Sequence, residues 1–209
     1  MARFGRVLTA MVSPFDERGE LDLDAAVSLA RWLVEQGNEG LVVTGTTGES
    51  PTLSHEEDEQ LWRAVAQAVT VPVIAGAGNN DTASSIERAK AAESAGAAGI
   101  LTVTPYYNRP SQAGLLDHFK AVAASTDLPI VLYDIPSRTG RKIATPTLLE
   151  LFEVDNIVGV KDAAGDPGET ATLLAAADGE IDCYSGDDKL TLPFLSVGAC
   201  GVIGVATHW

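Results

Sequence analysis

Residues 156–161 have the sequence Asn156-Ile157-Val158-Gly159-Val160-Lys161, a short apolar run that ends in a lysine. Such a run without polar alternation is typical of a strand buried on both faces, as in a parallel sheet covered by helices. Burial of the lysine favours its neutral amine and lowers its pKa. Because a neutral amine can attack a carbonyl carbon, Lys161 is a candidate Schiff-base nucleophile. The alternative for Lys161 taken alone is a side chain that reaches out of the strand end into solvent.

The rest of the chain alternates apolar strands with amphipathic helices. The predicted strands are 7–12, 40–43, 73–75, 99–103, 130–133, 157–160, 181–184 and 201–205. The predicted helices are 24–36, 55–69, 83–95, 112–125, 146–152, 168–176 and 188–197. Strands and helices in this alternation predict a (β/α)8 TIM barrel. A doubly wound open sheet is the alternative, but it usually has a Gly-rich turn after the first strand, where this chain has Ser13-Pro14-Phe15-Asp16.

The predicted barrel occupies residues 1–209 as a single domain. The last predicted strand is followed only by the short segment that ends at Trp209. A barrel of this kind usually needs about 250 residues. We therefore expect a C-terminally truncated barrel that lacks the last barrel helix and the C-terminal helices.

Composition excludes several classes of function. The formal net charge is −15, and such a surface repels nucleic-acid phosphates and anionic lipid, so we expect neither nucleic-acid nor membrane partners. Cys183 and Cys200 lie in predicted strands without metal-ligand spacing and are interpreted as small core residues. No apolar signal region begins the sequence, so we expect a cytoplasmic enzyme.

Polar side chains follow the predicted strands at their C-terminal ends, where TIM barrels carry their active sites. Besides Lys161, these positions are Gly45-Thr46-Thr47-Gly48, Pro105-Tyr106-Tyr107, Tyr133, Arg138 and Ser185-Gly186-Asp187. The opposite strand ends carry plain segments such as Val71-Pro72. We therefore expect the active site at the C-terminal rim.

Each of these groups has a possible task beside a Schiff-base lysine. The turn that contains Thr46 and Thr47 offers backbone N–H groups and hydroxyls to a small carboxylate. Tyr133 is a candidate proton shuttle, and Arg138 is a candidate ligand of a second carboxylate. The structural alternatives are an ordinary turn, a core phenol and a solvated loop arginine.

Four segments, in this order along the chain, indicate a family. They are Gly45-Thr46-Thr47-Gly48-Glu49-Ser50, Thr104-Pro105-Tyr106-Tyr107-Asn108-Arg109-Pro110, Tyr133-Asp134-Ile135-Pro136-Ser137-Arg138-Thr139-Gly140 and Val158-Gly159-Val160-Lys161-Asp162. At this spacing they resemble the dihydrodipicolinate synthase (4-hydroxy-tetrahydrodipicolinate synthase) family, of the pyruvate-dependent class I aldolase and N-acetylneuraminate lyase superfamily. The resemblance runs from about residue 5 to the end of the chain.

The resemblance implies a lyase of lysine and diaminopimelate biosynthesis that uses neither metal nor nucleotide cofactor. Pyruvate would form a covalent imine with Lys161, and its enamine would attack L-aspartate 4-semialdehyde. The family is usually a homotetramer of tight dimers. By the same resemblance, the pyruvate carboxylate is held by Thr46 and Thr47. A proton relay is formed by Thr46, Tyr133 and a neighbouring subunit's Tyr107. Arg138 binds the semialdehyde carboxylate, and the pocket is lined by Gly186 and Ile203.

The chain departs from the family pattern at several positions. Asp134 replaces a common asparagine, and Asp162 stands where glutamate is frequent. Asp58 and Ser84 replace a histidine and a glutamate of the pocket that binds lysine in lysine-inhibited members, so we expect lysine to inhibit weakly or not at all.

Two other functions are weighed against the synthase. One is a sister Schiff-base enzyme, N-acetylneuraminate lyase or a 2-keto-3-deoxy sugar acid aldolase, but Arg138 and the Tyr-Tyr-Asn-Arg-Pro segment favour the synthase. The other is a truncated, inactive subunit. All the proposed catalytic residues are present, which argues against loss of activity by substitution.

Overall fold

A computed structural model describes residues 2–209 and contains a closed barrel of eight parallel strands. Each strand pairs with the next along the chain, and the eighth pairs with the first. The strands are β1 (Val7–Ala10), β2 (Gly40–Val43), β3 (Val73–Gly76), β4 (Gly99–Val103), β5 (Ile130–Asp134), β6 (Ile157–Asp162), β7 (Asp182–Ser185) and β8 (Gly201–Gly204). The predicted TIM barrel is therefore confirmed.

Helices connect the strands on the outside of the barrel. They are α1 (Leu23–Glu35), α2 (His55–Ala68), α3 (Thr82–Ser94), α4 (Gln112–Ala123), α5 (Pro136–Thr139), α6 (Thr145–Phe152), α7 (Pro167–Ala176) and α8 (Thr191–Ser196). Within residues 2–209, β8 is followed by a 3-10 turn at Ala206–His208 and by no α-helix. None of the described helices combines the length and the apolar character needed to span a membrane.

Side chains at the helix ends explain where the helices begin and stop. The backbone N–H of Glu57 donates to the Ser54 hydroxyl and the Glu57 carboxylate accepts from the Ser54 N–H, so α2 begins with the predicted capping box. Gly37 and Gly96 follow α1 and α3 in the left-handed conformation that favours glycine, as their positions in the sequence indicate.

The sequence-based boundaries differ from the structure by one or two residues at several element ends, and three differences are informative. The first predicted strand ends two residues early at Ala10, and the predicted helix 188–197 divides into a 3-10 turn at Asp188–Leu190 and α8. Helix α5 was not predicted, because a segment of four residues is too short to show helical periodicity. Pro136 begins α5 and Gly140 ends it with a φ of 71°, so its only sequence signals are this proline and glycine.

Buried apolar side chains form two separate clusters. The smaller cluster fills the barrel interior, since its described members come from the strands and adjoining loops. They are Phe4, Leu8, Ala10, Val42, Ile74, Leu101, Val131, Tyr133, Ile135, Tyr184 and Ile203. The larger cluster lies between the strands and the helices and includes Trp62, Phe119 and Phe194. Strand residues therefore alternate between two apolar environments, which accounts for their continuous apolar sequence.

A bulge in β6 decides which way Lys161 points. Ile130 pairs with Ile157 but Val131 pairs with Gly159, so β6 carries one residue more than β5 at this level. An extra residue reverses the alternation of the side chains that follow it. Val160 consequently joins the outer cluster, and Lys161 points into the barrel beside Tyr133.

We predict that Gly159→Ala destabilises the protein by roughly 2 kcal/mol or more, because a Cβ at this position would overlap the carbonyl oxygen of Asp182 on β7. Gly114→Ala is the matched control. Gly114 lies in α4, where an added Cβ meets only ordinary contacts at 3.4 Å and beyond, so alanine should stabilise the protein by about 0.5 kcal/mol. Urea unfolding of both variants measures the difference; equal and small effects would contradict the close packing of β6 on β7.

Candidate active site

Lys161 lies inside the barrel near the C-terminal ends of the strands. Only 6% of its surface is exposed, and its Nζ lies 4.3 Å from the centroid of the Tyr133 ring. In the sheet it is paired with Tyr133 on β5 and with Tyr184 on β7. Strand β6 continues one residue past Lys161 to Asp162, whereas the predicted strand ends at residue 160. Lys161 therefore lies within the strand.

The electrostatic environment of Lys161 favours its neutral amine. Its pKa is lowered from 10.5 to about 8, chiefly by burial; the carboxylate of Asp188 opposes this effect, and the charge of Arg138 adds to it. No carboxylate among residues 2–209 forms a salt bridge with it. A buried amine without a salt-bridge partner is a nucleophile near neutral pH.

Tyr133 is suited to give a proton to a group beside Lys161. It is buried, and burial raises its pKa to about 12 although the charge of Arg138 acts in the opposite direction. The phenol is therefore protonated at neutral pH and can act as a hydrogen-bond donor. Its position on the strand next to Lys161 places a proton donor and a nucleophile side by side.

Gly186 and Ile203 border the same region of the barrel. A Cβ placed on Gly186 would lie 3.0 Å from both Cγ and Cε of Lys161, so the glycine leaves room for the lysine stem. The N–H of Gly186 donates to the carbonyl of Asp162 at 2.7 Å. Ile203 is buried in the inner cluster with Tyr133. Gly186 therefore lies beside Lys161, and Ile203 lies on the same inner side of the barrel wall.

A cleft of about 440 Å³ opens at the rim between the loops that follow β2 to β5. Thr46, Arg138 and Tyr106 are among its lining residues. Arg138 is exposed, and its charge lowers the pKa of both Lys161 and Tyr133. The guanidinium thus connects the cleft electrostatically to the buried pair, and an anion that binds in the cleft has a cation close to the reactive amine.

Hydrogen bonds from neighbouring segments support the Gly-Thr-Thr-Gly turn. Ser13 donates its hydroxyl to the carbonyl of Gly48 at 2.7 Å. Just before the turn, Thr44 has a φ of 57°, and its hydroxyl accepts from the indole N–H of Trp62 at 2.8 Å. Thr46 is exposed and Thr47 is half-buried. The hydroxyls of the turn are thus presented at the rim by a backbone that is fixed underneath, and the supporting role of Thr44 was not predicted.

Tyr107, a predicted catalytic residue, extends into solvent. Its side chain is 90% exposed, and its backbone has a φ of 74°. Its N–H donates to the carbonyl of Thr139 at 3.4 Å, which links the loop after β4 to α5. Within one chain, therefore, the phenol does not join the Lys161–Tyr133 pair.

The contacts of two carboxylates were not predicted from the sequence. Asp58 is fully buried and forms an ion pair with Arg88, which also donates to the carbonyl of Gly76 at 3.0 Å. It therefore connects α2 to α3 inside the protein. Asp188, which opposes the lowering of the Lys161 pKa, accepts from the N–H groups of Val205 and Ala206. Its only sequence signal was its place directly after the predicted Ser-Gly-Asp rim segment.

Comparison with known proteins identifies the family. Residues 3–209 match the dihydrodipicolinate synthetase family. The chain belongs to this family. A 4-hydroxy-tetrahydrodipicolinate synthase of Moorella thermoacetica is 55% identical over 208 residues, which are 99% of this chain and 71% of that protein. The family resemblance seen in the four sequence segments, and with it the prediction of a lyase, is confirmed.

Solved structures agree with this relationship. Dihydrodipicolinate synthase of Bacillus anthracis superimposes with a TM-score of 0.97 at 46% identity, covering 100% of this chain and 72% of that one. The enzyme of Acinetobacter baumannii, solved in complex with pyruvate, has a TM-score of 0.95 at 40% identity over 98% of this chain and 71% of that one. The barrel and its rim loops thus have the arrangement of this family.

We predict that Lys161→Met stabilises the protein at pH 7 by roughly 1 to 3 kcal/mol, because the buried ammonium disfavours folding when it is charged. The pKa in the folded protein, about 8, lies below the ordinary value of 10.5, so this penalty is complete below pH 8 and disappears as the pH approaches 10.5. Urea unfolding at pH 7 and pH 9.5 should show the advantage of methionine shrinking with pH.

The control for this comparison is Lys120→Met. Lys120 is exposed on α4 and pairs with Glu150, so its replacement should change stability by less than about 1 kcal/mol. An advantage of Lys161→Met that is absent at pH 7, or that grows with pH, would contradict the desolvated amine.

Proposed function

We propose that this chain catalyses the 4-hydroxy-tetrahydrodipicolinate synthase reaction, the condensation of pyruvate with L-aspartate 4-semialdehyde in lysine and diaminopimelate biosynthesis. The observation that carries the proposal is the buried amine of Lys161, which has no salt-bridge partner in the described chain and lies against Tyr133 inside a barrel of this family. The curated relatives that carry this name favour the synthase over the sister lyases.

The first step joins Lys161 to pyruvate. The neutral Nζ attacks the keto carbon; the nitrogen then loses one proton and the keto oxygen gains one, which gives a carbinolamine. Loss of that oxygen as water, after a second protonation, leaves the imine. The protonated phenol of Tyr133 is the donor beside these atoms, and Thr46 and the neighbouring subunit's Tyr107 return the proton to it.

Two carboxylates are bound at the rim in this mechanism. The Thr46-Thr47 turn holds the carboxylate of pyruvate through its N–H groups and hydroxyls, above the supports that Ser13 and Trp62 provide. Arg138 binds the carboxylate of the semialdehyde in the adjoining cleft. Gly186 and Ile203 shape the pocket wall around the lysine stem.

The second step makes the new carbon–carbon bond. The imine loses a proton from its methyl group to become an enamine, whose terminal carbon attacks the aldehyde carbon of the semialdehyde. Attack of the semialdehyde's amino group on the imine carbon then closes the ring and frees Lys161. All electrons come from the two substrates and the lysine, so the proposed reaction uses the covalent imine and no further cofactor.

A second copy of the chain completes the proposed site. Tyr107 is almost fully exposed on a loop with positive φ, and an exposed tyrosine is a frequent anchor of protein interfaces. In a tight dimer it reaches the neighbouring subunit's relay, and two such dimers form the proposed homotetramer. A cytoplasmic location also stays a prediction.

We predict that borohydride reduction in the presence of pyruvate leaves one reduced-pyruvate adduct, located on Lys161. Intact mass measures the number of adducts, and peptide mapping gives the site. Lys161→Ala should abolish the adduct while the protein stays folded, because the change removes the nucleophile from a β-strand that is held by its neighbours.

The matched control is Lys189→Ala, which removes an exposed lysine from the turn after β7 and should leave the adduct in place. An adduct that persists in Lys161→Ala would contradict the assignment of the nucleophile. Folded wild-type protein without any adduct would support the truncated, inactive subunit.

A further inference from the structure

A charged group lies on the outer side of the barrel wall, behind the rim. Asp134, the last residue of β5, is only 2% exposed. Its Oδ1 accepts from the N–H of Ile143 at 3.2 Å, nine residues further along the chain. This contact closes residues 134–143 into a loop, and that loop carries α5 and Arg138.

An ion-pair network extends this closure. The Nζ of Lys142 lies 3.8 Å from Oδ2 of Asp134 and 2.8 Å from Oε2 of Glu169, which lies on α7. Asp134 also pairs in the sheet with Asp162, whose Oδ2 accepts from Thr170 at 2.7 Å. The end of the loop is therefore attached both to its own beginning and to a helix beyond the next strand.

Helix α4 holds the same end of the loop from its other side. The Nε2 of Gln112 donates to the carbonyl of Lys142 at 2.9 Å. Its Oε1 accepts from the N–H of Ala144 at 3.0 Å and from the hydroxyl of Thr147 at 2.8 Å. These contacts attach the loop end to α4, while Asp134 and Lys142 join it to the strand that bears Tyr133.

Arg138 lies within the loop whose end these contacts attach. Its side chain is exposed, and α5 is a single helical turn in which the N–H of Arg138 donates to the carbonyl of Ile135 at 2.9 Å. A long side chain on one turn of helix inherits its direction from the ends of its loop. Displacement of a ligating group by about 1 Å can reduce catalysis by as much as about 100-fold.

Asp134 lies where a carboxylate is unfavourable in its charged form, because it is almost fully buried. Burial raises its pKa to about 7 in spite of the nearby Lys142, so its ionised form is disfavoured by the interior. An asparagine would offer the same oxygen to Ile143 without that penalty. What the carboxylate provides beyond an asparagine is the ion pair with Lys142.

We propose that Asp134 and Lys142 are positioning residues that set the direction of Arg138 and thereby the enzyme's preference for an acceptor aldehyde with a carboxylate. This inference rests on the proposed function of Arg138. Neither residue touches the reacting atoms, and imine formation between pyruvate and Lys161 proceeds without them.

The test is the steady-state kinetics of Lys142→Met, which breaks both ion pairs but keeps an unbranched side chain of similar length. We expect the KM for L-aspartate 4-semialdehyde to rise about 10-fold, while the KM for pyruvate and the yield of the borohydride adduct change less than about 2-fold. Asp134→Asn, which keeps the acceptor for Ile143, should give a smaller increase than Asp134→Ala. Lys120→Met, which breaks the exposed pair with Glu150, is the control and should leave both KM values unchanged.

A double-mutant cycle with Arg138→Met separates positioning from general stability. If Lys142 acts through Arg138, adding Lys142→Met to Arg138→Met changes kcat/KM for the semialdehyde by less than about 2-fold. Full additivity, or equal increases in both KM values, overturns the proposal. If Asp134→Ala does not fold, Lys142→Met and Asp134→Asn decide the matter alone. Absence of any pyruvate adduct in wild-type protein would instead defeat the proposed function.

Discussion

The chemistry of the site depends on one constraint: an amine is kept inside the barrel without a salt-bridge partner among residues 2–209. A charged lysine in this place is unfavourable, and the protein accommodates it by a lowered pKa. The lysine reaches the interior only because β6 carries one extra residue, which reverses the direction of the side chains after Gly159. An apolar cluster lies on each side of the barrel wall, so a Lys161 side chain that pointed outward would be buried among the helices and away from the barrel interior.

Two kinds of backbone surround this amine: the regular strands of the barrel wall and the strained loops of the rim. Strand β5 holds Tyr133 against the lysine, Gly186 lies beside the lysine directly after β7, and Ile203 lies on the inner side of β8. The rim uses less regular backbone. Four of the five described non-glycine residues with positive φ lie in the loops after β2 and β4: Thr44, Glu49, Tyr107 and Arg109. Such conformations cost about 1 to 3 kcal/mol each and persist where surrounding contacts fix them, which is typical of ligand-binding loops.

Much of this arrangement follows from local signals in the sequence. The alternation of strands and helices predicts the barrel, and the rule that active sites lie at C-terminal strand ends places Lys161, Tyr133 and Arg138 together. The direction of the Lys161 side chain cannot be predicted from these local signals, because the bulge is defined only by the register between β5 and β6. The ion pair of Asp58 with Arg88 and the contacts of Asp188 with the segment after β8 join residues far apart in sequence, so no local pattern could reveal them. Helix α5 was missed because four residues are too few for a period.

The most direct test of the account is the rate of imine formation between pyruvate and Lys161 as a function of pH, followed in single-turnover mixing experiments. A desolvated amine predicts a rate that rises with pH and levels off above a midpoint near 8, because the neutral form is then complete. Tyr133, with a pKa of about 12, does not titrate in this range and leaves the plateau flat. A rate that continues to rise toward pH 10.5 would mean that Lys161 behaves as an ordinary solvated lysine and would contradict the account.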